Sequence, residues 1–451
     1  MKWLVSALAP LVLAACVSVP RDAGLAEVQQ AIAARTGQPF PTAAPLDGEL
    51  TADQAVAIAV VNNPRLQITL EELGVARADL IEASTIANPF FELEVRFPSE
   101  PYRAYELRLA QSLIDLIQLP RRRALGRAAF DAAQLRVSGE VLRFAGDVRA
   151  SYFDALAASR HVEQQRTIAE AAQAAAEVAI RQHAAGNITD LDLENEQALY
   201  EQTKLDFARA ERESAVAREA LARNLGVARE VTLPADFPPL PAKEFDQQQL
   251  EQLAAQQRLD VALARRELEI AQRQVPIARL AALGEVIADV HYQREPTGEH
   301  TVGPGIELPI PIFNNGRAAR TRAEARWLGA KALVNALEAE SSSRLRAART
   351  VVGEARARVE YYRDVVLPRR ARIVELTKLE HNAMLVGVFQ LLQARQNLAR
   401  AESEFIDAQR EYWSARTNLD RALQGVADDS SFMPATDQGQ GKRATISRGG
   451  H

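Results

Sequence analysis

The stretch FFELEVRF, Phe90 to Phe97, decides how this chain is read. Phe91, Leu93, Val95 and Phe97 alternate with Glu92, Glu94 and Arg96. A two-residue period gives a β-strand one apolar and one charged face. The residues on either side read as helix, so the strand interrupts two helical tracts.

Three further runs share the design. Ala104 to Gln111 alternates Tyr105, Leu107 and Leu109 with Glu106 and Arg108, and PSEPYR (98–103) joins it to the first run as a turn. EVIADVHYQ (285–293) sets Val286, Ala288, Val290 and Tyr292 against Ile287, Asp289, His291 and Gln293. TVGPGIELPI (301–310) puts Val302, Ile306 and Leu308 on one face and Glu307 on the other. A sheet in water would alternate in the same way by burying its apolar face on helices. Strands of this length are also what a tilted membrane-crossing β-strand needs. On that reading lipid meets Leu93, Val95, Leu107, Leu109, Val290 and Ile306. The barrel interior holds Glu92, Glu94, Arg96, Glu106, Arg108, Asp289 and Glu307.

The N-terminus supports a membrane context. MKWLVSALAPLVLAACVSVP has a basic Lys2, an apolar run from Trp3 to Leu13, and Leu13-Ala14-Ala15-Cys16. That is the pattern of a bacterial lipoprotein signal peptide over 1–15, with Cys16 as the acylated first residue of the mature chain. The apolar run is too short to span a bilayer as a helix. Cys16 is the single cysteine, which excludes an intrachain disulfide.

Residues 16–48 read as a polar, lipidated extension. A first unit spans 49–226, with strands at about 89–97 and 104–113. It opens on LTADQAVAIAVVNNP, with Thr51 as N-cap and a helix to about Ala87, where Asn88-Pro89 stops it. A helical tract from about Pro120 to Ala184 follows. At about 1.5 Å per residue it would be a rod about 100 Å long. AAGNITDLD ends it, with Gly186 suited to a left-handed turn and Thr189 with Asp192 forming a capping box. A Pro-rich connector covers 227–246.

The order then repeats over 247–425: helix to about 283, strands at about 285–293 and 301–310, a rod over about 316–384, a tip at Gly387, and a last helix. LENEQALYEQ (193–202) answers LQARQNLARA (392–401), and RNLG (223–226) answers RALQG (421–425). The tail 426–451 is Ser-, Asp- and Gly-rich and reads as disordered.

Four strands cannot close a barrel, and lipid does not tolerate open sheet edges. Long helices with Ala-rich seams likewise need lateral neighbours. The fold class expected is therefore mainly α with a transmembrane β-barrel: two internal repeats, four strands per protomer, and an oligomer that pools them.

Composition excludes other classes. The net charge of −5 carries no basic cluster interleaved with aromatics, so no nucleic-acid partner is expected. Six scattered histidines, three methionines and one cysteine argue against a protein metal site, and no cofactor motif occurs. No nucleophile–base cluster or phosphate loop points to an enzyme.

The chain resembles the TolC-type outer-membrane efflux family, lipoprotein branch, over about residues 48–425. The resemblance rests on LTADQAVAIAVVNNPRLQ, GNITDLDLENEQALYEQ and LPIPIFNNGRAARTRAEA, and on the paired repeats. It implies a homotrimer with a twelve-stranded outer-membrane barrel and a periplasmic α-helical coiled-coil barrel. It also implies export of small molecules or metal ions as the exit duct of a tripartite efflux system, or of type I secretion. Its implied partners are a periplasmic adaptor, or membrane fusion protein, and an inner-membrane pump. Val17 rather than Asp after Cys16 fits outer-membrane sorting. The resemblance puts the closed entrance at the helical tips, with turns at Gly186 and Gly387 and gate candidates Asp190, Gln390 and Gln393. Relatives with an acidic ring carry aspartates where this chain has Gln390 and Gln393, and the second tip reads as about two residues shorter than the first. A periplasmic adaptor or structural coiled-coil lipoprotein is the alternative; it would show one helical hairpin rather than two.

Overall fold

A computed structural model describes residues 25–36, 40, 48–97, 103–228, 231–280, 284–295 and 297–427. The signal peptide 1–15, Cys16, most of the 16–48 extension, most of the PSEPYR turn and the tail beyond 427 lie outside the described residues.

The elements in chain order are α1 (Leu25–Thr36), α2 (Ala52–Asn62), α3 (Pro64–Ser84), β1 (Phe90–Arg96), β2 (Ala104–Ser112), α4 (Leu113–Ala184), α5 (Asp190–Leu225), α6 (Gln247–Gln257), α7 (Leu259–Leu280), β3 (Ile287–Arg294), β4 (His300–Glu307), α8 (Arg317–Tyr361), a π-helical turn (Tyr362–Val366), α9 (Leu367–Asn382) and α10 (Val388–Gln424). The protein is thus mainly helical with few strands. The chain divides into two units. The first comprises 1–31, 68–138 and 259–340; the second comprises 32–67, 139–258 and 341–451.

The first unit contains one antiparallel sheet in the order β1-β2-β3-β4. The central pairing joins segments far apart in sequence: Leu107 lies opposite both Leu93 of β1 and Tyr292 of β3. Below the sheet, Arg123 donates to Ser84 O at 3.1 and 3.2 Å, tying the start of α4 to the end of α3.

The second unit has two apolar clusters. One joins Leu50, Ile58, Tyr152, Phe153, Leu156, Leu221 and Leu225. Tyr152 is buried there and its hydroxyl donates to Leu50 O at 2.9 Å. Burial pushes its pKa up to about 12. The other joins Leu250, Leu345, Val352, Val359, Tyr412 and Leu419.

Several helix bounds differ from the sequence reading. The helix expected from Thr51 to Ala87 is broken at Asn63, which is extended (φ −75°, ψ 116°), the conformation favoured before a proline. Asn63 bridges the break: Oδ1 accepts from Arg65 N at 2.9 Å, and Nδ2 donates to Asn224 O at 2.8 Å. The rod expected from Pro120 begins earlier, at Leu113, because β2 runs straight into it; Leu113 N donates to Val286 O at 2.8 Å. The helix expected over 247–283 is broken at Arg258, again extended. The second rod carries the π turn just before Leu367-Pro368. β4 ends at Glu307 rather than 310, where Pro309 and Pro311 cannot extend the ladder.

Candidate functional site: the charged sheet face and the helical tips

Register assigns every strand residue to one of two faces. Phe91, Leu93 and Val95 lie opposite Leu109, Leu107 and Tyr105, which lie opposite Val290, Tyr292 and Arg294; Val302, Pro304 and Ile306 continue the face in β4. This apolar face is open to its surroundings: Leu93 is 56% exposed and Ile306 68%. Val290 on the same face is 54% exposed and Val302 66%.

All seven residues expected in a barrel interior share the other face. Glu92 lies opposite Arg108, Glu94 opposite Glu106, Ala110 opposite Asp289, and Ile287 opposite Glu307. Arg108 reaches Asp289 at 3.2 Å and Glu307 at 2.9 Å, spanning β2 to β4. Arg96 pairs with Glu94 at 2.9 Å and lies 3.5 Å from Glu106. Gly305 leaves room for Asp289, since a Cβ there would come within 2.7 Å of the carboxylate oxygens and make the side chain shift. His291 Nδ1 lies 3.5 Å from Asp289 Oδ2. The roles of His291 and Gly305 were not assigned from sequence; both sit in the alternation of their strands, which is the signal that could have found them. Among the described strands, β1 and β4 are outer strands with one edge unpaired.

The second unit carries both tips. At the first, Gly186 takes φ 74°, its N–H donates to His183 O, and Asn187 N donates to Gln182 O. Thr189 caps α5, and Asp192 returns the bond to Thr189 N at 3.1 Å. Asp190, the first residue of α5, has Oδ1 2.6 Å from His183 Nε2. It is 94% exposed and held within its own tip.

The second tip corrects the sequence reading. Met384, not Gly387, is the left-handed residue, at φ 60°. Met384 N donates to His381 O and Leu385 N to Glu380 O, repeating the first tip at a spacing of 198 residues (384 minus 186). Gly387 has φ −75° and is the N-cap of α10, with no side-chain cap bond. The two tips are therefore equal in length, and Gly387 corresponds to Thr189. Gln390 and Gln393 are exposed on the first turns of α10, and Gln393 Nε2 donates to Asn397 Oδ1 at 3.4 Å.

Between the tips lies a groove of about 280 Å³ lined by Val178, Ile188, Glu196, Leu391, Leu392 and Arg395. Glu196 is 4% exposed and its Oε2 lacks a hydrogen-bond partner. Burial, and then Asp192, raise its pKa. Sequence reasoning missed Glu196 and also Glu244. Glu244, in the connector, accepts from Tyr412 Oη at 2.6 Å, from Arg356 Nη1 at 3.3 Å and from Arg416. Nothing near Glu244 in sequence announces these partners.

A family model, outer membrane efflux protein, matches residues 59–227 and again 250–425. The chain belongs to the outer membrane efflux protein family. The efflux-family chain is 24% identical over 388 residues to the cobalt-zinc-cadmium resistance protein CzcC of Cupriavidus metallidurans, covering 83% of this chain and 90% of that protein. Its fold is similar to that of a membrane protein from Pseudomonas aeruginosa (TM-score 0.70, 21% identity, 82% of this chain and 93% of the other). It is also similar to that of the Campylobacter jejuni CmeC outer membrane channel (TM-score 0.67, 16% identity, 84% and 86%). Among the described residues no helix is long and apolar enough to cross a membrane, which says nothing of a β-barrel. No group of three or more His, Cys, Asp or Glu side chains converges there as a metal site.

Proposed function

We propose that this outer membrane efflux protein is the exit duct of a tripartite efflux system, working as a homotrimer. The observation that carries the reading is the open four-stranded sheet, apolar and exposed on one face, ion-paired on the other. Two unpaired edges in lipid are untenable. Three copies give twelve strands, within the range that bacterial barrels use. Closing the sheet with its apolar face outward turns Arg96, Arg108, Asp289 and Glu307 into the lining of an aqueous passage.

Duplication of one ancestral unit is part of the same reading. It is supported by the matched tips, by the paired C-cap glycines Gly226 and Gly425 at φ 70°, and by the two family matches. In this reading the helical tips are the entrance that meets a periplasmic adaptor bound to an inner-membrane pump, with Asp190, Gln390 and Gln393 at its mouth. Cys16 anchors the mature chain in the outer membrane through acyl chains. The cargo is small molecules or metal ions. The similarity to CzcC supports metal ions, carried in transit rather than held.

Unheated and boiled samples of the full chain, extracted from outer membranes, test the duct. A compact species at three times the chain mass that collapses on boiling, with conductance in planar bilayers, is expected. A monomer without conductance overturns the reading. Radiolabelled fatty acid should label the wild type but not Cys16→Ser.

A further inference from the structure

Among the described strand residues, the apolar face of the sheet carries basic groups at one end only. Among the described strand residues on that face, the charged or titratable basic ones are Arg294 and His300, and none is acidic. Both lie where the hairpins turn, away from the helices. Arg103, which precedes β2, lies at the same end with its guanidinium 5.5 Å over the Phe97 ring.

These groups interleave with aromatics in one row. Arg294 sits 5.9 Å over the Tyr105 ring. Tyr105 stacks on Tyr292 at 5.7 Å, and Tyr292 on the His300 imidazole at 6.3 Å. The acids of the strands lie on the opposite face. Glu295, just past β3, is drawn there too, accepting from Gln293 Nε2 at 2.5 Å.

Positive charge on a lipid-facing surface is costly at mid-bilayer and cheap at the headgroup level. Aromatic rings with a polar edge favour the same level. Guanidinium groups offer several N–H donors in a planar fork that matches phosphate oxygens. A row of basic groups on a face that carries none of the acids of the described strands complements an anionic headgroup.

We propose that Arg103, Arg294 and His300, set among Phe97, Tyr105 and Tyr292, form a binding site for the phosphate of a lipid headgroup in the leaflet around the hairpin turns. The inference rests on the barrel reading above. The aromatic row seats the site at the polar–apolar boundary, and the basic groups select phosphorylated headgroups over neutral ones. Three copies of the chain would present three such sites around the barrel.

The test uses the full-length protein in detergent, probed by native mass spectrometry with bisphosphorylated lipid A, with lipid A stripped of both phosphates, and with inorganic phosphate. Wild type should retain the phosphorylated lipid at least tenfold better than the stripped form, and should not retain inorganic phosphate. The triple variant Arg103→Gln, Arg294→Gln, His300→Gln should lose that preference, while Arg103→Lys with Arg294→Lys should keep most of it. Equal retention of the two lipids by wild type, or an unchanged preference in the triple variant, overturns the inference. The wild-type comparison stands even if the triple variant fails to assemble. Heat-modifiable migration, run in parallel, separates the two readings. A heat-modifiable wild type without phosphate preference sinks this site alone; a wild type that is not heat-modifiable sinks the barrel.

Discussion

Met384 holds, at φ 60°, the left-handed turn position at the second tip that Gly186 holds, at φ 74°, at the first. The two turns share their hydrogen bonds, so the backbone geometry is the same and only the side chain differs. An L side chain in that region costs roughly 1–2 kcal/mol, a cost glycine avoids. Met384 is 93% exposed, so little packing offsets it. Met384→Gly should therefore stabilise the second tip by about 1 kcal/mol. Slower amide exchange over 381–388 is the expected result; unchanged or faster exchange would refute the argument.

Glu196 gives a pH-dependent prediction. Its folded-state pKa is raised, first by burial and then by Asp192. A carboxyl with a raised folded pKa binds its proton more tightly in the native state, so stability falls as pH rises through that range. The penalty is absent below the unfolded pKa, about 4.3, and complete above the folded value. Glu196→Gln should raise the melting temperature at pH 7 to 8 and change it little at pH 4. A gain of equal size at both values would point to a packing effect instead.

What the sequence made legible follows from how local each signal is. The two-faced strands were readable because alternation puts Leu93 and Glu94 in different surroundings whatever their partners. The capping box at Thr189 and Asp192 was readable because both halves lie within one turn. The helix break at Asn63 has a local signal in Pro64, whereas the bonds of Asn63 to Arg223 and Asn224 come from about 160 residues away and have none. Glu244 was missed for the same reason. The turn at the second tip is not legible because glycine is only the cheapest left-handed residue, and Met384 takes that conformation while Gly387 caps α10.

Glu244 should be structurally costly to remove. It accepts from Tyr412, Arg356 and Arg416, and the side chains of both arginines are no more than 20% exposed. Burial and then the Glu244 partner raise the Tyr412 pKa, so the phenol stays protonated and donates. Glu244→Ala takes the shared acceptor from Tyr412 and Arg416, while Arg356 keeps Pro241 O and Glu360, an expected loss of about 1–3 kcal/mol. Glu244→Gln keeps an acceptor and should recover part of it. A Glu244→Ala melting temperature equal to wild type would remove the connector from the account of stability.

The sheet predicts opposite outcomes on its two faces. Leu107→Arg or Val95→Arg puts a charge on the apolar face, at a cost of about 2–4 kcal/mol at mid-bilayer. Either should abolish the heat-modifiable species. Glu94→Gln removes one side of the Arg96 pair on the polar face, which water can replace, and assembly should persist. If the two classes assembled equally well, the assignment of faces would be wrong.

Asp190 is the last test, and it concerns the entrance. Its carboxylate is met by His183 of its own tip, 2.6 Å away, and it opens α5, where an acid favours the helix dipole. Both interactions are internal to one chain. Asp190→Ala should cost about 0.5 kcal/mol, seen as faster exchange at the first tip, and leave single-channel conductance near wild type. A clear rise in conductance would instead identify Asp190 as a latch between copies. The second tip behaves differently, because Gln390 and Gln393 are exposed and neutral. Multivalent cations should block the wild-type channel weakly from the periplasmic side. Gln390→Asp with Gln393→Asp would place two added carboxylates per chain, six around a three-fold mouth, and block should strengthen markedly. Strong block in wild type that disappears with Asp190→Ala would move the constriction to the first tip.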